Sequence, residues 1–164
     1  MFPIIIPQDY WGGATAKAVD LAPSDGCINM VKTFEGLRLR AYGDVTGTRT
    51  IGYGHTYGVR AGEVIDEAEA TALLTHDLSI ASLCLVNDVT HTLAQHQYDA
   101  LTSFAFNVGA AAFARSDVVR AVNSGDFYDA AKRLPSWCKS KGEFVRGLFK
   151  RRQIEAEWLL GPPF

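Results

Sequence analysis

The chain has 164 residues, of which 48% are hydrophobic and 21% charged, and its formal net charge at pH 7 is −2. This length predicts one globular domain with a real hydrophobic core, and the composition excludes a disordered or fibrous chain. The nearly balanced charge gives no indication of a nucleic-acid partner. The three cysteines Cys27, Cys84 and Cys138 form neither a CxxC pair nor a disulfide framework, so we expect core packing in a protein made under reducing conditions.

Residues 1–23 are rich in proline, glycine and alanine, and we expect an extension that lies over the domain or is loosely ordered. Their apolar run is interrupted by Pro3 and Pro7 and follows no basic segment. It therefore predicts neither a signal peptide nor a membrane anchor, and we expect synthesis in the cytoplasm.

A short helix followed by a hairpin is predicted next. Ser24 or Asp25 can cap the helix, Gly36 can end it, and its apolar face carries Ile28, Val31 and Phe34. Residues 37–59 combine many glycines and threonines with apolar Ile51 and Tyr53, a pattern typical of a small antiparallel hairpin.

Helical patterns dominate from residue 65 onward. Capping boxes are predicted at Asp66–Glu69 and Thr92–Gln95, with the second helix ending at Gly109, and further helices at about 116–123, 126–134 and 142–160. The chain is thus predicted to be an α+β protein. A small β-containing lobe (about 37–64) would join a larger all-helical lobe (about 65–164), with a ligand cleft between them.

Other motifs lack the context that their chemistry needs. Gly52–Gly58 misses the dinucleotide-binding spacing and has no βαβ unit around it. The D-V-T-G beginning at Asp44 is similar to half of an aspartic-protease site, but no second D-[ST]-G motif occurs. The four histidines show no metal-binding spacing, so we expect no metal and no cofactor. His55 is instead expected to pair with Asp77.

Glu35, Asp44 and Thr50 are the candidate catalytic residues. Glu35 is expected at a helix C-terminus, where partial burial and the helix dipole disfavour its ionised form, and a carboxyl that keeps its proton can protonate a leaving oxygen. Asp44, in a polar turn, is expected to stay charged, and Thr50 can hold a water beside it. Such a pair suits glycoside hydrolysis. Taken singly, each carboxylate is more simply an exposed helix end or a turn residue.

The stretch FEGLRLRAYGDVTGTRTIGYGHT, Phe34 to Thr56, resembles the signature of phage-type lysozymes, the T4 lysozyme-like glycoside hydrolase family 24. The family pattern E-x8-D-x5-T matches Glu35, Asp44 and Thr50. FNVGAAAFARS and the G-L-x-x-R-R-x-x-E pattern at 147–155 extend the resemblance over about residues 24–164, which we take as the catalytic domain.

The resemblance implies a lysozyme-like fold and hydrolysis of the β-1,4 bond between N-acetylmuramic acid and N-acetylglucosamine in peptidoglycan. Glu35 would be the general acid, with Asp44 and Thr50 positioning water or stabilising the transition state, and inversion of configuration is expected. The protein would be a monomeric endolysin that lyses the host after holin-type release. Expected substrate contacts are Tyr53, Gly54, His55, Phe106, Asn107 and Ser116, although Ser116 could equally be a helix cap.

The segment from Lys132 to Arg152 contains eight basic residues and one acidic residue. It suggests a basic face that attracts anionic envelope polymers, made of Lys139, Lys141, Arg146, Lys150, Arg151 and Arg152. The alternative is that Arg151 and Arg152 pair with Glu155 and with the acidic segment at 63–69. Trp137 and Trp158 are expected in the core.

Two other functions remain open. A lytic transglycosylase would use Glu35 alone and leave 1,6-anhydro ends, but that ring closure does not need the water-holding pair Asp44 and Thr50. A non-enzymatic protein that binds peptidoglycan or disrupts membranes would not need these catalytic residue types, although the helix at 142–160 could support membrane disruption.

Overall fold

The computed structural model describes residues 14–43 and 47–161, so Asp44 and the predictions for residues 1–13 and 162–164 lie outside the described residues. The described chain combines helices with two small antiparallel hairpins, which is the predicted α+β class. The elements are α1 (Asp25–Glu35), β1 (Arg38–Gly43), β2 (Arg49–Gly52), α2 (Glu67–Ala81), α3 (Leu83–Asp88), α4 (Gln95–Val108), α5 (Ala110–Ala114), α6 (Asp117–Asn123), α7 (Phe127–Arg133), β3 (Lys139–Ser140), β4 (Glu143–Phe144) and α8 (Arg146–Leu160).

Helix α1 begins and ends as the sequence predicts. The Ser24 hydroxyl accepts a hydrogen bond from the Cys27 backbone N–H at 3.2 Å, which caps the N-terminus. Gly36 follows the last turn with a φ of 69°, a conformation that favours glycine. Because the helix stops there, Glu35 is its last residue and lies where the chain turns into the hairpin.

Strands β1 and β2 form the predicted antiparallel hairpin, with Tyr42 opposite Thr50 and Gly43 opposite Arg49. On its other edge β1 bonds to the segment that leads into α2, because Ala41 N–H donates to the carbonyl of Glu63 at 2.9 Å. The hairpin is therefore fixed from both sides of β1.

The helix predicted from Asp66 onward has its capping box, since the side chains of Asp66 and Glu69 each accept from the backbone N–H of the other at 2.8 Å. The helical stretch is interrupted at Ser82, which separates α2 from α3. By length and mean hydropathy alone, Glu67–Asp88 could cross a membrane. Leu74 and Leu78 of α2 nevertheless pack in the protein core.

Helix α4 begins later than predicted and ends at Gly109 as predicted. The Thr92–Gln95 capping box is wrong, because Leu93 is still extended and pairs with Ala16 in an antiparallel bridge. The cap lies two residues further on, where Gln97 Oε1 accepts from the Ala94 N–H at 2.9 Å.

The last helix also starts later than the predicted residue 142. Lys141 and Gly142 have positive φ values of 51° and 84° and form the turn of the β3–β4 hairpin. A helix cannot run through this turn. Helix α8 therefore begins at Arg146.

Within residues 14–43 and 47–161, two hydrophobic clusters form the core. The larger one surrounds α4 and includes Trp158, as predicted, with Trp137 packed against its edge. The smaller one joins α1, Tyr53 and α2. All three cysteines are buried with free thiols, as predicted for core packing.

Candidate active site

Glu35 lies between the last helix and the hairpin region. Its Oε1 accepts a hydrogen bond from Arg151 Nη1 at 2.5 Å, and its side chain is 24% exposed. A Cβ added to Gly54 would lie 4.0 Å from Oε2 of Glu35, and Gly54 has a φ of +100°. One carboxylate oxygen is thus bound by an arginine, and the other faces the glycine backbone at the edge of the hairpin.

Arg151 is held in place by buried partners. Its Nε donates to Glu155 Oε1 at 3.0 Å, and its Nη2 donates to the Ser103 carbonyl at 3.1 Å. The Ser103 hydroxyl donates to the same Glu155 oxygen at 2.6 Å. The Arg151 and Glu155 side chains are only 4% and 0% exposed, so little water screens these charges.

Arg152 binds the second oxygen of Glu155 and extends the network to Asn107. Its Nη1 donates to Glu155 Oε2, its Nη2 donates to Asn107 Oδ1, and its Nε donates to the Trp137 carbonyl at 3.1 Å. Burial lowers the pKa of Arg152, while the Glu155 carboxylate raises it. A continuous chain of charged hydrogen bonds therefore runs from Glu35 to Asn107, and its interior members are buried.

The sequence alternative that paired both arginines with Glu155 is confirmed. Pairing with the acidic segment at 63–69 is wrong, because the remaining Arg151 donor contacts Glu35 instead. Inclusion of both arginines in a basic face is also wrong, because they are 3% and 0% exposed. The exposed cations of that face are Lys139, Lys141, Arg146 and Lys150.

The contact between Arg151 and Glu35 was missed by sequence reasoning. The sequence interpretation considered only partial burial and the helix dipole around Glu35 and included no cation in contact with its carboxyl group. The available signal was the R-R-x-x-E spacing, which places two arginines one turn before a glutamate on the same helix. No local pattern links that helix to Glu35, 116 residues earlier.

The three hairpin residues expected to contact substrate differ in their surroundings. Tyr53 is 6% exposed and packs in the smaller core cluster. Gly54 is exposed and lies beside Glu35. His55 Nδ1 lies 2.8 Å from Asp77 Oδ2, which confirms the predicted pairing and connects the hairpin to α2.

Ser116 and Phe106 also have structural partners. Ser116 is 1% exposed, and its hydroxyl accepts from the Val119 N–H at 3.1 Å, so the structure supports the helix-cap alternative. Phe106 is partly buried against the smaller core cluster. Asn107, by contrast, is exposed at the end of α4.

Thr50 lies in β2 and is 8% exposed. Asp44 lies outside the described residues, so its distance from Glu35 and from Thr50 stays a sequence prediction. Among residues 14–43 and 47–161, no group of three or more His, Cys, Asp or Glu side chains could hold a metal ion.

A helix-rich fold with a small hairpin, and a glutamate presented at a helix end beside that hairpin, define the lysozyme-like class. The family model described as phage lysozyme matches residues 32–155. The chain belongs to the phage lysozyme family. It is accordingly a glycoside hydrolase with a lytic function against peptidoglycan.

Several relatives have comparable sequences. An endolysin of Acyrthosiphon pisum secondary endosymbiont phage 1 is 39% identical over 136 residues, covering 80% of this chain and 93% of the relative. A SAR-endolysin of bacteriophage PS119 is 35% identical over 147 residues, covering 89% and 86%. The chain spans 51% of a longer endolysin from Bacillus phage B103, at 43% identity over 141 residues.

Solved structures show the same fold. The muramidase domain of SpmX from Asticaccaulis excentricus superimposes with a TM-score of 0.80 at 38% identity, covering 85% of this chain and 97% of that domain. A single-site mutant of P22 lysozyme superimposes with a TM-score of 0.79 at 35% identity, covering 86% of this chain and 99% of that protein.

Proposed function

We propose that the protein hydrolyses the β-1,4 bond between N-acetylmuramic acid and N-acetylglucosamine, with Glu35 as the general acid. The observation that supports this role is the asymmetric environment of the Glu35 carboxyl. Oε1 is bound by Arg151, whereas Oε2 faces Gly54, which has no side chain of its own to block the approach of a sugar. The proton that protonates the leaving oxygen would be carried on Oε2.

Arg151 has a chemical part in this step. When the acid gives up its proton to the glycosidic oxygen, a carboxylate remains on Glu35. The guanidinium is already in contact and is fixed by Glu155, so it stabilises the developing negative charge without reorganising. Because Arg151 is only 4% exposed, water screens its charge less than it would screen a cation on the surface.

Asp44 and Thr50 would complete the reaction by holding the attacking water on the opposite face of the sugar. This assignment is supported by the E-x8-D-x5-T pattern and by the position of Thr50 in the hairpin that follows α1 in the chain. Inversion of configuration requires a carboxyl separation of about 6.5–9.5 Å, which leaves room for that water.

A turbidity assay on purified peptidoglycan tests the proposal with the wild-type protein and Glu35→Gln. Glutamine can still accept a hydrogen bond from Arg151, so the fold should persist while the acid is lost. We expect clearing to slow by about 10²-fold or more, in line with the usual contribution of general acid catalysis. Equal clearing by both proteins would contradict a glycosidase mechanism and favour non-enzymatic disruption.

The products separate hydrolysis from the transglycosylase alternative. Hydrolysis leaves reducing sugar ends, and mass spectrometry should find a water added to each cleaved bond. Glycan ends in the 1,6-anhydro form would instead show that Glu35 acts without a held water, which would remove the proposed roles of Asp44 and Thr50.

We further propose that this monomeric protein is made in the host cytoplasm and reaches peptidoglycan after holin-type release, drawn by the exposed cations Lys139, Lys141, Arg146 and Lys150 to anionic envelope polymers. Four relatives, from bacteriophages PS119 and PS34 and from enterobacteria phages PA-2 and P21, are named SAR-endolysins, so the release route needs its own test. Bacteria that express the chain alone should stay intact and lyse when a holin is co-expressed. Lysis without a holin would contradict this route.

A further inference from the structure

We propose that Arg152 positions the side-chain amide of Asn107 so that its NH2 group donates a hydrogen bond to an acceptor oxygen of the bound glycan. The inference rests on the proposed function and deepens it. It assigns a hydrogen-bond donor role to Asn107, one of the expected substrate contacts. It also assigns a positioning role to Arg152, which is buried and does not itself reach the surface.

The orientation of the Asn107 amide follows from the chemistry of its partner. A guanidinium offers only hydrogen-bond donors, so the amide oxygen must face it. Arg152 Nη2 donates to Asn107 Oδ1, and the Nδ2 group therefore points away from Arg152, on the other side of the Cγ atom within the same amide plane. The alternative flip would place two donors against each other.

Arg152 is itself held firmly. It is 0% exposed, and its other donors bind Glu155 and the Trp137 carbonyl. Its guanidinium carbon lies 4.9 Å from the centre of the Phe104 ring. Since these contacts fix the guanidinium, they also fix the amide that it binds. The Asn107 side chain is therefore already ordered in the free protein, and ligand binding costs less conformational entropy.

The Nδ2 group of Asn107 has no acceptor among the described residues, and Asn107 is exposed. A fixed, exposed amide donor is suited to a carbonyl or hydroxyl oxygen. The 2-acetamido groups of the proposed glycan carry such carbonyls at every sugar.

The buried carboxylate of Glu155 positions both the Asn107 donor and the proposed catalytic acid Glu35, each through one arginine. Glu155 binds Arg151 through one oxygen and Arg152 through the other. Arg151 then contacts Glu35, and Arg152 contacts Asn107. The two exposed ends of the network therefore keep a defined spacing, which is what orienting a sugar against the acid requires.

Asn107→Asp tests the donor directly. Aspartate keeps the oxygen that Arg152 binds and replaces the NH2 group with a second acceptor. The matched control is Asn87→Asp, the same change at an exposed position of α3. Soluble, uncross-linked glycan strands serve as substrate, and titration calorimetry on the Glu35→Gln background measures binding without turnover.

We expect Asn107→Asp to raise the Kd and the KM about tenfold, the effect of one lost hydrogen bond, with kcat within about twofold and the melting temperature unchanged. Asn87→Asp should change none of these values. An unchanged Kd and KM in Asn107→Asp would overturn the inference. If the wild type bound strands but did not hydrolyse them, the proposed function would fail, while the Kd comparison would still decide the role of Asn107.

Arg152→Lys tests the positioning role, because lysine keeps a charge near Glu155 but loses the fork that reaches Asn107. Arg152→Lys should raise the Kd when Asn107 is present. When Asn107 has already been changed to Asp, Arg152→Lys should raise the Kd little further. Equal effects in both backgrounds would show that Arg152 acts on stability rather than through Asn107. If Arg152→Lys does not fold, the amide protons of Asn107 are followed by NMR in the wild type, and a shift on glycan binding is expected. An unshifted signal would overturn the inference.

Discussion

Glu35 and Glu155 are bridged by one guanidinium: Arg151 donates from Nη1 to Glu35 Oε1 at 2.5 Å and from Nε to Glu155 Oε1 at 3.0 Å. Glu155 is fully buried, whereas Glu35 is partly exposed. A buried acid on the last helix thus orients the arginine that contacts the proposed catalytic acid on the first described α-helix.

Arg151→Lys should reduce kcat by about tenfold to a hundredfold, since a single ammonium cannot bridge both carboxylates with the geometry of a guanidinium. The measurement is kcat on soluble glycan strands, with Lys17→Gln, at an exposed position outside the basic face, as the control. A kcat within twofold of the wild type in Arg151→Lys would show that the contact with Glu35 has no part in the chemical step.

Glu155→Gln should destabilise the fold, because it leaves two buried guanidinium groups without their shared carboxylate. The loss of free energy of unfolding should be about 3–5 kcal/mol. Glu157→Gln, on the exposed face of the same helix, should stay within about 0.5 kcal/mol of the wild type. Urea unfolding of both variants provides the comparison, and similar midpoints would mean that the network contributes little to stability.

Asp99→Asn should reduce the dependence of stability on pH. Burial raises the pKa of the Asp99 carboxyl from 3.8 to about 8, although the Ser24 backbone N–H lowers it. Between these values the folded protein keeps a proton that the unfolded chain has lost. The stabilisation is therefore complete below about pH 4 and is lost as the pH rises towards 8.

Between these pKa values, the contribution of Asp99 should make the free energy of unfolding of the wild type fall by up to about 1.4 kcal/mol per pH unit. Asp99→Asn should lack this contribution. Denaturant unfolding at pH 5 and pH 7.5 measures it. Burial raises the pKa of the neighbouring Cys27 thiol to about 12, so this thiol does not titrate in the same window. Parallel slopes in the two proteins would contradict a buried, protonated Asp99.

Asp44→Asn should keep the fold and lose most activity, by about 10²-fold or more, because an amide cannot activate or orient the attacking water as a carboxylate does. Peptidoglycan clearing and the melting temperature should be measured together. A variant that melts early would identify Asp44 as a structural residue of the turn instead.

Much of the fold could be predicted from the sequence because helix starts and ends often depend only on neighbouring residues. The Ser24 cap, the Gly36 stop and the Asp66–Glu69 capping box each depend on residues within one turn of helix. The two late helix starts were missed for tertiary reasons. Leu93 pairs with the distant Ala16, and the Lys141–Gly142 turn belongs to a hairpin that bonds back to Cys138.

The candidate site could likewise be predicted only where neighbouring residues or a motif determine it. A motif identified Glu35, and the pairing of His55 with Asp77 followed from the order of the hairpin and α2. The pairing of Arg151 and Arg152 with Glu155 follows from their spacing on one helix, but their contacts with Ser103 and Asn107 depend on how α8 packs against α4, which no spacing along the chain encodes. Of the two interpretations that the sequence allowed for these arginines, the basic face was therefore wrong, because both side chains are buried, and the pairing with Glu155 was confirmed.

The segment before α1 is attached at successive points to α4 and to the residues that lead into it. Ala16 and Leu93 exchange two backbone hydrogen bonds, Ala18 is buried, and Gln95 donates to the Ala22 carbonyl. The sequence divided the chain at residue 24, but these contacts connect residues 16–22 to the folded body. A shortened version of the protein should therefore begin before Ala16, and a fused partner should be joined upstream of that position, where it would leave the bridge to Leu93 intact.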